Sequence, residues 1–293
     1  MALLMKGAPV AAALCERTAA RVRELSQQGI TPSLAILRVG EDGGSLAYER
    51  SAVKRCEGLG IKTETAALPA DAAEEALLSE IRRVNQSAEI HGCLLLRPLP
   101  GHMDDVRVCQ ALDVKKDVDG ITAGSMSFVY SGRGEGFAPC TAEACLTLLD
   151  HYGIPLRGTR VAVIGRSLVV GRPLAMLLQA RDATVTLCHS QTRELPALCR
   201  EQDILISAAG HIGTVDVLCL REGQVILDVG TNLNSEGKLT GDVVFDRAEP
   251  LAGAITPVPG GVGAVTTAVL AAHVVQAAAR QAFNIAGVTR TKY

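Results

Sequence analysis

A chain of 293 residues is at the size where one hydrophobic core usually divides into two domains. With 48% hydrophobic and 20% charged residues and a net charge of -2, it reads as a soluble globular protein without the basic footprint of nucleic-acid binding. No segment reaches the roughly 18 consecutive apolar residues of a membrane helix, and nine scattered cysteines without a C-x-x-C pair suit reduced cytoplasmic thiols better than disulfides or a zinc site.

The opening "MALLMKGAPVAAALCERTAARV" reads as an amphipathic helix rather than a signal peptide, because Glu16 and Arg17 interrupt the apolar run and it flows into "RVRELSQQG". From there, β-rich runs alternate with helical ones, which predicts an α/β fold with a parallel sheet wrapped by helices. The expected strands are 33–40, 62–68, 92–99, 160–165, 184–189, 203–209 and 224–230. After the first, "GEDGGSLAYERSAVKRCEGLGI" reads as a turn, Tyr48 opening a basic helix, and a glycine stop. The Gly-rich "YSGRGEGFAPCT" (130–141) is the expected domain boundary, giving way to Pro139 and a helix capped by Thr141.

The second half opens with a strand, a turn holding Gly165 and Gly171, and a helix with Pro173 near its start. Such a unit presents free N–H groups and a positive dipole end to a phosphate. The spacing is not G-x-G-x-x-G, and taken alone the glycines also fit an ordinary tight turn. The next strand ends in "LCHSQTR", where a carboxylate would accept from a ribose 2′-hydroxyl. Ser190 and no carboxylate stand there, and Arg166 in the turn suits a 2′-phosphate, so the expected cofactor is NADP. His189 is assigned no catalytic role. Later strands end in "SAAGHIG" and "DVGTN", followed by "GDV" and "AITPVPGGVGAVTT", whose glycines let a flat cofactor approach the backbone.

The segments "VGEDGGSLAY", "GCLLLRPLP", "KKDVDGIT", "PCT", "GRSLVVGRP", "CHSQT", "DVGTN", "GDV" and "TPVPGGVGAVTT" together resemble the bifunctional FolD-type methylenetetrahydrofolate dehydrogenase/cyclohydrolase family. They span nearly the whole chain in the family's order. The resemblance implies a folate-binding catalytic domain over 1–140, completed by a carboxyl-terminal helix over 272–293, and a Rossmann-type NADP domain over 141–271. It further implies a homodimer with the active site in the cleft between the domains. It assigns catalysis to Tyr48 and Asp119, the latter holding the pterin ring, and substrate contacts to Leu95, Pro98, Pro259, Gly260 and Gly261. Cofactor contacts fall on Thr141, Gly165, Arg166, Ser167, Gly171, Ser190, Gly210, Gly230 and Thr231, and no metal is implied.

Two positions depart from the family pattern S-x-x-Y-x-x-x-K-x-K. Anchored on Ser45, Tyr48 and Gly60, the first lysine position is Ala52 and the second is Lys54. Lys54 is rotated by about 200° from Ala52 on a helix and is a poor substitute. The family's glutamine in V-Q-L-P-L-P falls on Leu96, followed by Arg97. Hydride transfer depends mostly on ring positioning, whereas hydrolysis of the methenyl product needs proton movement, so the cyclohydrolase step is the doubtful one. Other readings are a family member that binds folate and NADP without turnover, and an unrelated NADP-linked dehydrogenase.

Overall fold

The computed structural model describes residues 2–283. The chain begins with β1 (Leu3–Leu4) and α1 (Gly7–Gln27) and divides into two compact units. One comprises Ala13–Cys140 with residues from Thr267 onward; the other comprises residues up to Ala12 with Thr141–Thr266.

The unit built on Ala13–Cys140 contains β2 (Ser33–Val39), α2 (Gly43–Gly58), β3 (Lys62–Leu68), α3 (Glu74–Gln86), β4 (Gly92–Leu95), α4 (Asp105–Ala111) and α5 (Ala123–Ser131). Its sheet has the order β3-β2-β4, with all pairings parallel. The central strand β2 is an almost unbroken apolar run because both its faces are covered. Ala35, Leu37 and Val39 pack with Leu77, Leu78, Ile81 and Val84 of α3, whose spacing keeps them on one helix face.

Two expectations are corrected in this unit. Helix α2 starts at Gly43, because the Asp42 carboxylate caps it by accepting from the Ser45 N–H at 2.9 Å. Tyr48 therefore lies inside the helix rather than opening it. Strand β4 stops at Leu95, short of the expected 92–99; the Leu96 N–H makes one last bond to Leu37 O at 2.9 Å, and Pro98 and Pro100 have no N–H to continue the ladder.

The second unit contains α6 (Cys140–His151), β5 (Arg160–Ile164), α7 (Gly171–Gln179), β6 (Thr184–Cys188), α8 (Leu195–Arg200), β7 (Ile204–Ser207), β8 (Val225–Asp228), β9 (Asn232–Leu233), β10 (Leu239–Thr240), α9 (Phe245–Ala248) and β11 (Ala254–Ile255). Helix α10 (Gly263–Ala282) follows. Six strands form a sheet of order β1-β11-β8-β7-β5-β6, parallel throughout, and β9 with β10 forms a small antiparallel ribbon. Because β6 lies on one side of β5 and β7 on the other, the chain reverses direction across the sheet at β5, which opens a crevice at the strands' carboxyl ends.

The structure corrects the reading here too. Helix α6 begins at Cys140, so Thr141 lies within it and is not its cap. Strands β1, β9, β10 and β11, each two residues long, carry no periodicity and were not expected. Helix α10 starts upstream of residue 272, and the 284–293 portion of the expected closing helix lies outside the described residues.

Candidate active site

The carboxyl end of β5 is built around two glycines. Gly165 has φ +118°, and a Cβ there would sit 2.1 Å from the Ala208 carbonyl oxygen; at Gly171 it would sit 1.9 Å from the Gly165 oxygen. The turn closes against the end of β7 only because neither residue has a side chain. Among the described residues, the N–H groups of Arg166, Ser167, Leu168 and Val169 have no hydrogen-bond acceptor, and Val170 gives α7 no side-chain cap. Ser167 Oγ accepts from the Val170 N–H at 3.1 Å and steadies the turn. Arg166, Ser167 and Arg172 are exposed, and neither arginine joins an ion pair among the described residues. Free amides, a helix dipole and unpaired guanidinium groups form a site for an anion.

At the end of β6, the His189 N–H bonds Thr192 Oγ1 at 2.9 Å and His189 Nδ1 accepts from the Gln191 N–H at 3.2 Å. His189 thus shapes a turn, leaving Ser190 exposed beside it with no carboxylate at the strand end. The other cofactor candidates of this unit sit at strand ends: Gly210 beyond β7 is exposed, Gly230 beyond β8 is buried, and Thr231 is exposed. Pro259 and Gly260 are exposed and Gly261 buried, and the Gly260 oxygen accepts from the Gly7 N–H at 2.8 Å.

The other unit gathers Tyr48 and Asp119. Burial first, and the charge of Asp119 second, raise the Tyr48 phenol well above its ordinary pKa, so it stays protonated and is able to donate a hydrogen bond. The Asp119 carboxyl is also raised, mainly by burial, while the Cys140 side chain and N–H favour its ionised form. Its Oδ1 accepts from the Cys140 N–H at 3.3 Å, at the first turn of α6. The turn "GIT" is held by Asp117, which accepts from the N–H groups of Ile121 (2.9 Å) and Thr122 (2.8 Å). One helical turn beyond Tyr48, Ala52 has no exposed surface, whereas Lys54 is exposed. Leu95 and Leu96 are buried and Pro98 is exposed; Arg97 is drawn to Asp105, 3.3 Å away.

Sequence reasoning missed the surroundings of Asp119. His273 on α10 lies with its Nδ1 2.8 Å from Val118 O and 3.7 Å from Cys140 Sγ, and its ring packs on Phe137 at 4.9 Å. A lone histidine in an apolar helix carries no local signal for such a contact. Asp242 was also missed as an individual residue, although "GDV" was noted as a segment.

A family model described as tetrahydrofolate dehydrogenase/cyclohydrolase, catalytic domain, matches residues 5–119, and the same family's NAD(P)-binding domain matches 139–282. The "Bifunctional protein FolD" of Carboxydothermus hydrogenoformans is 45% identical over 279 residues, covering 94% of this chain and 97% of that one. The crystal structure of the bifunctional enzyme FolD, methylenetetrahydrofolate dehydrogenase/cyclohydrolase, from Campylobacter jejuni superposes with a TM-score of 0.93 at 35% identity, over 96% of this chain and 99% of that one. The Trypanosoma brucei methylenetetrahydrofolate dehydrogenase-cyclohydrolase, solved with NADP cofactor and inhibitor, gives 0.91 at 34% identity, over 96% and 98%.

Proposed function

Because the chain belongs to the tetrahydrofolate dehydrogenase/cyclohydrolase family, we propose that it oxidises 5,10-methylenetetrahydrofolate to the 5,10-methenyl form with NADP and hydrolyses that product weakly. The observation that carries the cofactor assignment is the run of acceptor-free amides from Arg166 to Val169 before an uncapped α7, beside exposed guanidinium groups. These residues fit a dinucleotide bearing an extra phosphate. Arg166 would pair with the 2′-phosphate, Ser190 would replace the acidic ribose reader, and Gly165, Ser167, Gly171, Gly210, Gly230, Thr231 and Thr141 would line the remainder.

When bound, NADP supplies the hydride acceptor. The chain's own residues position the folate. Asp119 accepts from the pterin amino group and ring N–H, which is supported by its half-buried carboxylate. Tyr48 donates from a phenol that stays protonated, and Leu95, Pro98, Pro259, Gly260 and Gly261 supply apolar and backbone contacts. Hydride transfer needs no protein acid or base, whereas hydrolysis requires proton movement near the methenyl carbon. Ala52 and Leu96 have no titratable group for that step.

The proposed domains are 1–140 with 272–293 for folate and 141–271 for NADP, in a cytoplasmic homodimer, with the difference that residues up to Ala12 group with the NADP unit, where β1 pairs with β11, and those from Thr267 group with the folate unit. Among the described residues no helix is long and apolar enough to cross a membrane, and no cysteine is joined in a disulfide, which supports the reducing compartment. The second reading is a member that binds both ligands without turnover, which follows if the hydride step also requires the group that buried Ala52 does not supply. Assaying the half-reactions separately decides between them. The expected result is NADP-dependent formation of the methenyl product with little hydrolysis. No oxidation despite tight binding of both ligands establishes the second reading, and equal efficiency with NAD and NADP overturns the cofactor assignment.

A further inference from the structure

Asp242 has no exposed surface, yet its carboxylate gathers hydrogen bonds from two loops. Oδ2 accepts from Ser207 Oγ (3.0 Å), the Ala209 N–H (2.7 Å) and the Gly210 N–H (3.2 Å). Oδ1 accepts from the His211 N–H (2.9 Å) and from Asn232 Nδ2 (3.0 Å). Its own N–H is held by Asp228 Oδ1 at 3.0 Å, and Asp228 also accepts from Gly230 and Val243. A carboxylate with this many donors is a strong, directional anchor.

The two loops at the crevice are therefore built in opposite ways. After β5, the amides of Arg166 to Val169 have no acceptor among the described residues. After β7, three successive amides point inward to Asp242 although Ala209, Gly210 and His211 are themselves exposed. The first arrangement attracts a phosphate. The second keeps amide donors away from one and fixes the loop's outer surface from beneath. Asn232, beyond Thr231, ties the end of β8 to the same anchor.

We propose that Asp242 is a positioning residue for the nucleotide: its buried carboxylate sets the β7 loop and the segment around Asn232 in the shape that admits NADP, without touching the cofactor. This rests on the reading of the crevice as the NADP site. The effect on binding is carried by the loop, so a change at Asp242 raises the requirement for NADP and leaves that for folate as it was.

The test uses the full chain with Asp242→Asn, which turns one acceptor oxygen into a donor facing amide donors. The expected results are a rise of at least about tenfold in the NADP Kd by calorimetry and faster hydrogen exchange at Ala209 to His211 in cofactor-free protein, with exchange in Ile204–Ser207 and the folate KM unchanged. A folded variant with unchanged NADP affinity, or with unchanged loop exchange, overturns the proposal. If Asp242→Asn does not fold, Asn232→Ala keeps the carboxylate and removes one donor. A rise of about two- to fivefold in NADP Kd is then expected, and an unchanged value overturns the proposal. Failure of the unmodified protein to bind NADP would refute the cofactor reading instead, and loop exchange in Asp242→Asn would still decide whether Asp242 is the anchor.

Discussion

Asp117 is fully buried and both its oxygens are engaged by backbone amides, whereas Asp119, two residues later, is half-buried and bonds the Cys140 N–H through one oxygen. The difference predicts different mutants. Asp119→Ala should lower kcat/KM for the folate by about 10- to 100-fold, the range for a lost charged hydrogen bond, with NADP Kd within about twofold of the unmodified protein. Its stability should fall by only about 1 kcal/mol, the usual cost of losing a helix-capping acceptor. Loss of NADP binding with intact folate binding would show that Asp119 serves the other ligand. Ala52 and Leu96 stand at the lysine and glutamine positions of the family pattern. Ala52→Lys alone buries an ammonium with no new acceptor, which costs more than it contributes. Ala52→Lys with Leu96→Gln should recover methenyl hydrolysis beyond the sum of the single changes, a coupling that a double-mutant cycle measures directly. Additive effects would mean that the two positions do not act together. Loss of hydrolysis in Lys54→Ala would show the register anchored on Tyr48 to be wrong.

The turn between β5 and α7 leaves no volume for a side chain at Gly171. Gly171→Ala should therefore lose NADP binding and destabilise the fold, since the backbone of Gly165 and Arg166 would have to move. Arg166→Ala touches only exposed surface and should keep the thermal midpoint while eroding the preference for NADP over NAD by about tenfold or more. A variant that retains its preference would assign the 2′-phosphate to another cation, with exposed Arg172 the next to test. This element was legible in the sequence because a buried strand, two glycines and an early proline each leave a local mark. So were β2 and the strands from β5 to β8, through their apolar and β-branched runs. The ends were less legible: β4 stops where prolines begin, and α2 starts at Gly43 because a side-chain cap outranks the helix preference of the residues after it. The two-residue strands β1 and β11 exist because each finds a partner in a sheet already formed, information that a local pattern does not contain. The contacts of Asp242 and His273 join residues 10 to 155 positions apart, beyond the reach of any spacing argument.

Across the molecule, each unit keeps its own buried aspartates under loops: Asp117 in one, Asp228 and Asp242 in the other. Such groups make stability depend on pH. Burial raises the Asp228 pKa to about 6 and the charge of Asp242 adds to the rise, against the opposing N–H bonds of Asp242, Val243 and Gly230. The folded pKa is above the unfolded one, so the ionised form is the disfavoured one in the fold. The penalty is absent below the unfolded value near 3.8, grows as pH rises, and is complete above about 6. Asp119 is raised in the same sense, and the exposed cap Asp42, whose pKa is lowered by the Ser45 N–H, acts in the opposite one. For Asp228 the full penalty is about 3 kcal/mol, of which roughly 1 kcal/mol develops between about pH 5 and about pH 7.5. Asp228→Asn removes that titration and leaves the others. Because the amide also places a donor near the Val243 N–H, the variant's absolute stability is expected to be lower, and the informative quantity is how the difference changes with pH. Thermal midpoints of the full chain and of Asp228→Asn, followed from about pH 5 to about pH 7.5, should converge as pH rises, since only the unmodified protein bears the growing cost of ionising this carboxyl. Parallel curves would mean that Asp228 is already ionised throughout, held by its three backbone donors against burial and against the neighbouring charge.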